Sequence, residues 1–323
     1  MTAQVQGDDA FQQLVEAHQH AVRVHCYRLL GSLQDAEDLT QETLLRAWRS
    51  LDRFEGRASL RAWLYRIATN ACFDEIDRRA RRALPDMSGT PHSSFTPGPP
   101  VPAETPWLDP MPDAWLELAD ESPGPEARYE AKESIELAFV AALQQLPGRQ
   151  RAALLLRDVL GWSTDEVAEI LDLSTAATHS VLQRARANVG QPVTPTSPRL
   201  TQEAERNLVD RYMGAWERGD VQELLALLKA DARLSMPPLP EWYIGREAIA
   251  EFFQWVTGPG GGGPYRSEPT HANGAPAFRI YAGDEPSVLQ VVEADAEGIV
   301  SITSFMNPSL FRYFQERGRK PTE

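Results

Sequence analysis

Cysteine occurs only at positions 26 and 72 of the 323 residues. Cys26 and Cys72 both fall in helix-like apolar settings, which excludes a disulfide framework and reads as two buried thiols. Histidine is almost as scarce, and although His18, His20 and His25 stand near Cys26, their spacing fits no common ligand motif, so neither a metal nor a cofactor is expected. No apolar run approaches the ~18 residues of a membrane span, and the polar start MTAQVQGDDA lacks a leader pattern. A cytoplasmic protein with no membrane partner is therefore expected. Lysine appears three times against 29 arginines, a bias that suits a GC-rich genome.

An excess of positive charge is also missing. The net charge is −14, yet it is unevenly spread. Residues 1–82 balance 12 bases against 12 acids, residues 83–135 carry net −8, residues 136–190 net −1 and residues 191–323 net −5. A protein that bound duplex DNA unaided would need a basic surface, because phosphate neutralisation supplies most non-specific affinity. This composition fits a subunit that borrows affinity from a larger, more basic partner.

What is present centres on residues 32–82. Ala36, Leu39, Thr43, Leu44, Ala47 and Trp48 recur at helical spacing, which sets Asp35, Glu37, Asp38, Gln41 and Glu42 on the opposite face. A second helix starts after Ser59, a plausible N-cap, and carries the stripe Leu60, Trp63, Leu64, Ile67, Ala68 and Ala71 towards a basic end at Arg78, Arg79, Arg81 and Arg82. Between them, Phe54-Glu55-Gly56-Arg57-Ala58-Ser59 combines an aromatic, a glycine and an arginine, a loop able to stack on an unpaired base and hold its phosphate. Residues 10–30 add a third helix to the bundle.

The stretches from Gly31 to Trp48 and from Trp63 to Asn70 resemble region 2 of the extracytoplasmic-function group of the bacterial sigma-70 family. That resemblance implies that Asp35, Glu37, Asp38, Gln41 and Glu42 dock on the clamp helices of core RNA polymerase. It also implies that Phe54, Arg57, Ser59, Arg61, Trp63, Tyr65, Asn70, Arg78 and Arg79 melt and read the promoter −10 element.

From Leu84 to Pro125 the composition turns to proline, glycine and serine with scattered acids, which cannot form one packed element. The stretch contains an apolar knot, Trp107-Leu108-Asp109-Pro110-Met111-Pro112-Asp113. Two readings stand: a spacer with one anchoring tryptophan, or a segment that, like the corresponding sigma linker, threads the positive RNA channel of the polymerase. Helices resume at about Glu126. The stripe Ile135, Phe139, Ala142, Leu143 and Leu146 stops at Pro147-Gly148, and Arg149–Leu160 forms another. Ser163 with Glu166 is a capping box, and the spacing through Leu171-Asp172-Leu173 to a helix capped by Ser174 is that of a helix-turn-helix. It resembles sigma region 4, which meets the polymerase flap and reads the −35 element. Thr175, Ala176, His179 and Gln183 then face the groove beside the cap Ser174, a −35 candidate with them, Arg149, Arg151, Arg184 and Arg186 hold phosphates, and Val181 and Leu182 are core.

After the proline-punctuated residues 190–199, helices at 208–216, 221–228 and 246–256 precede the alternating segments 277–282, 287–294 and 299–305, read as a meander. This part resembles the SnoaL-like branch of the NTF2-like cone fold. Trp242, Tyr243, His271 and Asn273 are its candidate regulatory or pocket residues. Asp231 and Glu241 are further candidates for acid-base work, and a small ligand is a possible partner. The expected organisation is a sigma region 2 domain (1–84), an acidic linker (85–127), a region 4 domain (128–190), a second linker (191–201) and an α+β cone domain (202–323). Two functions compete: a transcription initiation factor regulated in cis, or a SnoaL-type enzyme tethered to DNA. An acidic docking face favours the first, since a tethered enzyme has no need of one.

Overall fold

A computed structural model describes residues 2–51, 54, 59–87, 89–96, 106–119, 136–189, 200–261 and 263–315. The chain forms two compact units: Met1–Arg82 with Asp113–Thr194, and Ala83–Pro112 with Pro195–Glu323.

The first unit is helical. α1 (Thr2–Leu30), α2 (Leu33–Ser50) and α3 (Leu60–Ile76) form the bundle read from sequence. Gly31 turns the chain at φ +67°, a conformation that costs a glycine little. Ser32 then caps α2 by accepting from the Asp35 N–H at 3.3 Å, and Ser59 caps α3 by accepting from the Ala62 N–H at 3.1 Å. α4 (Asp113–Ala119) packs on α1, where the Arg23 guanidinium lies 4.0 Å from the Trp115 ring centre. α5 (Leu137–Gln144), α6 (Gly148–Leu154, continued by a π turn over Leu155–Val159), α7 (Thr164–Leu171) and α8 (Thr175–Val189) follow. The capping box at Ser163 and Glu166 forms in both directions, at 2.8 and 3.3 Å. Asp172 makes the left-handed turn between α7 and α8 at φ +52°, so the helix-turn-helix is closed by a residue whose short polar side chain tolerates that region.

The second unit is a mixed six-stranded sheet in the order β2-β1-β6-β5-β4-β3, with three helices. Its elements are α9 (Gln202–Arg218), α10 (Val221–Leu227), β1 (Leu228–Ser235), β2 (Trp242–Ile244), α11 (Arg246–Thr257), β3 (Tyr265–Ala272), β4 (Ala275–Ala282), β5 (Glu285–Asp295) and β6 (Gly298–Phe305). The three segments read as a meander are β4, β5 and β6. The sheet is mixed because β1 runs parallel to β6. Strand β3 escaped the pattern because Pro269 and its polar neighbours hide the alternation, and Asn273-Gly274 turn back into β4 with φ +54° and +76°, the two-residue hairpin that this pair favours. Tyr212, Trp216, Phe252, Phe253 and Phe278 fill the cone.

Residues 83–112, part of a stretch read as unpacked, belong to this second unit. Leu108 and Met111 are fully buried. The Trp107 indole donates to the Pro238 carbonyl at 3.0 Å, and the His92 N–H donates to the Trp242 carbonyl at 2.8 Å. Met111 and Asn273 exchange two hydrogen bonds, of 2.7 and 2.9 Å. Phe95 sits among Tyr243, Phe252 and Trp255, with ring centres 5.4 to 5.9 Å away.

Candidate polymerase and nucleic-acid interface

The acidic face of α2 divides in two. Asp38 and Gln41 are exposed and Glu37 and Glu42 half-buried, with Glu42 accepting from Arg46 at 2.7 Å. Asp35 is turned inward and 7% exposed, where Arg79 contacts both its oxygens at 2.8 and 2.9 Å and Arg82 adds a third contact at 2.9 Å. Asp35 therefore ties α2 to the basic end of α3 and is not a free docking carboxylate, and Arg79 is the other half of that tie. Sequence reading missed two members of the exposed face. Leu45 and Trp48 are 51% and 45% exposed, in register with Asp38, Gln41 and Glu42. Trp48 belongs to this face and not to the core stripe, because its seven-residue offset from Gln41 is two helical turns.

On α3, Trp63 is half-buried against Phe54 at a ring separation of 5.1 Å, and Asn70 is exposed. Ser59 is the N-cap, and Arg57 lies outside the described residues. Arg78 is exposed beyond the helix end, donating to the Asp74 carbonyl at 2.9 Å. Tyr65 is only 1% exposed. It packs between His25, 4.9 Å away, and Trp162 of the helix-turn-helix segment, 5.3 Å away. Arg61 completes the cluster, its guanidinium 4.9 Å from the Trp162 ring centre and 5.7 Å from that of Tyr65. Burial, and Arg28 close by, pull the His25 imidazole down to about 3, so it is neutral.

On α8 the proposed reading face is open. Thr175, His179, Gln183 and Arg184 are exposed, whereas Val181 and Leu182 are core. Ser174 caps the helix, accepting from the Ala177 N–H at 3.2 Å, and Thr175 donates to Asp165 at 3.0 Å. Arg186 is exposed in a paired contact with Asp158 at 2.6 and 2.9 Å. Arg149 is exposed, but Arg151 is not available to phosphate. It is 2% exposed and donates to the Leu29 carbonyl, to the Gln144 side chain at 2.7 Å and to the Gln144 and Leu146 carbonyls at 2.8 and 3.1 Å. The residue expected to grip DNA is a structural pin between the helix-turn-helix segment and α1.

The candidate pocket residues of the second unit do not converge. Tyr243 on β2 and His271 on β3 lie on the two opposite edge strands of the six-stranded sheet. Trp242 and Tyr243 are buried beneath His92 and Phe95, and burial, with Glu241 near, raises the Tyr243 phenol. His271 is exposed and meets Glu205 at 3.1 Å, and Asn273 makes the hairpin turn. Asp231 is exposed on β1. An open cleft of about 490 Å³ lies elsewhere, between the start of α9, the end of α10 and the Asp295–Gly298 turn.

Residues 14–82 match the family model of sigma-70 region 2, residues 136–189 that of sigma-70 region 4, and residues 209–295 that of the SnoaL-like domain. The chain is 41% identical over 312 residues to the ECF RNA polymerase sigma factor SigG of Mycobacterium tuberculosis, spanning 94% of this chain and 83% of that protein. The chain belongs to the ECF RNA polymerase sigma factors. The ECF sigma factor SigE of Mycolicibacterium smegmatis is 31% identical over 188 residues, 58% of this chain and 63% of its own. The crystal structure of the M. tuberculosis ECF sigma factor SigJ has the same fold, with a TM-score of 0.59 at 22% identity over 94% of this chain and 98% of its own. As an ECF sigma factor the chain serves promoter recognition and transcription initiation, a non-enzymatic role. No helix among the described residues is long and apolar enough to cross a membrane.

Proposed function

We propose that this ECF sigma factor acts in the cytoplasm and docks on the polymerase clamp helices through Glu37, Asp38, Gln41, Glu42, Leu45 and Trp48. Charged and polar groups set orientation and encounter rate there, and the two exposed apolar side chains supply desolvation energy. Region 4 meets the flap and reads −35 DNA through Thr175, His179 and Gln183, with Arg149, Arg184 and Arg186 on phosphates. The α3 face around Phe54, Arg57, Trp63 and Asn70 melts and reads the −10 element. Arg61 and Tyr65 join it once they are uncovered. The SnoaL-like unit regulates these steps in cis and is not itself an enzyme, and the open cleft is its candidate place for a small ligand.

The observation that carries the regulatory reading is residues 83–112. The segment joining region 2 to region 4 has its apolar side chains, Leu84, Leu108 and Met111, buried in the SnoaL-like unit. A linker held there is not free to thread the polymerase channel, so the C-terminal unit competes with the polymerase for the same residues. Cutting the chain at Thr201 removes that competitor. The truncated protein is expected to retain core polymerase in a pull-down and to initiate at an altered level in transcription with purified core enzyme, and Trp242→Ala should reproduce part of the change. Equal transcript yields from full-length and cut protein over a range of concentrations would end the regulatory reading. Failure of both proteins to retain polymerase would end the docking assignment.

A further inference from the structure

We propose that Asp165 is a specificity-determining residue of the helix-turn-helix. By taking the hydroxyl proton of Thr175 it makes the first turn of α8 a surface that can only accept hydrogen bonds, and this selects a base that bears an amino group, adenine or cytosine, at the −35 position it faces. The inference rests on the assignment of α8 to the −35 groove. Thr175 is the first residue of α8, and Asp165 stands in the first turn of α7. Both residues are exposed, and Thr175 Oγ1 lies 3.0 Å from Asp165 Oδ1.

Chemistry fixes the direction of that bond. A carboxylate has no hydrogen to give, so the hydroxyl donates, and threonine has a single hydroxyl hydrogen. Once it is spent on Asp165, only the oxygen lone pairs and the methyl group remain to face DNA. Ser180, on the same side of α8 as Ala176 and Gln183, is restricted in the same way, because its hydroxyl donates to the Ala176 carbonyl at 3.2 Å. Glu166, next to Asp165, is turned back to the Ser163 N–H at 2.8 Å, so the carboxylate that meets α8 is Asp165. The amide of Gln183 and the guanidinium of Arg184 supply N–H donors further along, where both residues are exposed. The helix thus offers acceptors at its start and donors in its second half.

The major groove sorts bases by that chemistry. Adenine N6 and cytosine N4 donate there, whereas guanine O6 and N7 and thymine O4 accept. A turn that can only accept pairs with the first two, and it faces the others acceptor to acceptor with lone pairs left unmatched. The negative charge sharpens the choice, since a carboxylate is repelled by phosphates and by the carbonyl edges of guanine and thymine alike. Asp165 therefore costs overall affinity and contributes discrimination, the repulsive element that a specific interface needs.

Selection from a promoter library with a randomised −35 element, using holoenzyme assembled from core RNA polymerase and the full-length chain, tests the proposal. The unsubstituted protein is expected to enrich A and C over G and T at one −35 position by at least about fivefold. Thr175→Val keeps the shape and removes the oxygen, and should bring that ratio to within about twofold of unity. Asp165→Asn should do the same, because an amide can donate to the hydroxyl oxygen and release its proton towards a carbonyl-bearing base. Thr175→Ser keeps the oxygen and should keep the preference. Absence of any position enriched in A and C, or a preference that survives Thr175→Val or Asp165→Asn, would overturn the proposal. A lower melting temperature with unmoved base frequencies would overturn it too, by reducing the pair to a tie between helix ends. Gln183→Ala and His179→Ala in the same selection separate this inference from the reading beneath it. If they move preferences while Asp165→Asn does not, only the role of Asp165 falls; if no variant moves any −35 position, α8 does not read the groove.

Discussion

The two helices proposed to read DNA meet solvent differently. On α8, His179, Gln183 and Arg184 stand exposed, while on α3, Tyr65 is 1% exposed and Arg61 lies against an indole ring. Both helices carry aromatic or basic residues at helical spacing, so the contrast owes nothing to composition. It follows from which face of each helix is covered. α8 packs on α6 and α7 through Val181, Leu182 and Ala185 and leaves His179, Gln183 and Arg184 outside, whereas α3 carries Arg61 and Tyr65 on the side that meets Trp162. The residues proposed for −35 are exposed, and two of those proposed for −10, Arg61 and Tyr65, are covered.

The sharpest way to test that contrast is to replace the pin. Arg151→Met removes a buried cation and orphans several carbonyls, and should lower stability by about 3 kcal/mol or more in chemical denaturation. Arg149→Met, on the same turn but exposed, should stay within about 0.5 kcal/mol. Similar effects for the two would mean that Arg151 is not inside.

Acid acts on the covered side as well. Folded His25 titrates near 3, and an unfolded histidine near 6.5, so the unfolded chain binds the proton first as the pH falls. The stability is complete above pH 6.5 and is lost towards pH 3, at up to about 1.4 kcal/mol per unit. Urea unfolding should therefore show about 2 kcal/mol less stability at pH 5 than at pH 7, and His25→Gln should flatten most of the difference. An unaltered slope in that variant would place the titrating group elsewhere.

The docking face separates in the same way. Asp38→Arg with Glu42→Arg should reduce polymerase retention at least tenfold while the melting temperature holds, because exposed charges contribute little to stability. Asp35→Ala should do the reverse, costing about 1–2 kcal/mol by freeing Arg79 and Arg82. Loss of retention without loss of stability in Asp35→Ala would return that carboxylate to the interface.

The smallest effects belong to the open helix. Arg184→Ala should weaken −35 binding across all sequences by about 1 kcal/mol, roughly fivefold, and His179→Ala or Gln183→Ala should change which sequences a promoter library returns. Sequence-blind losses in all three would mean that the groove-facing side is wrongly assigned.

Much of the fold was legible because its signals are local. Ser59, Ser163 and Ser174 are caps in the structure, as short-range chemistry requires, and Asp172 turns the helix-turn-helix where the spacing put it. What was not legible depends on partners remote in the chain. Asp35 looked like its neighbours Glu37 and Asp38, and only the fold brings Arg79 and Arg82 to it. Residues 83–112 looked like a spacer because Pro238, Trp242 and Asn273, which receive them, lie more than 120 positions away.

The sequence by itself determined most of the elements, the family and the order of the parts, because helical periodicity, caps and motif spacing are written within about twenty residues. Tertiary structure alone decided which charges are available. An arginine costs little in water and much inside the protein, and whether Arg151 or Arg184 is the buried one depends on whether another helix closes over it. Packing set that outcome, and with it which of the candidate DNA-facing residues are exposed.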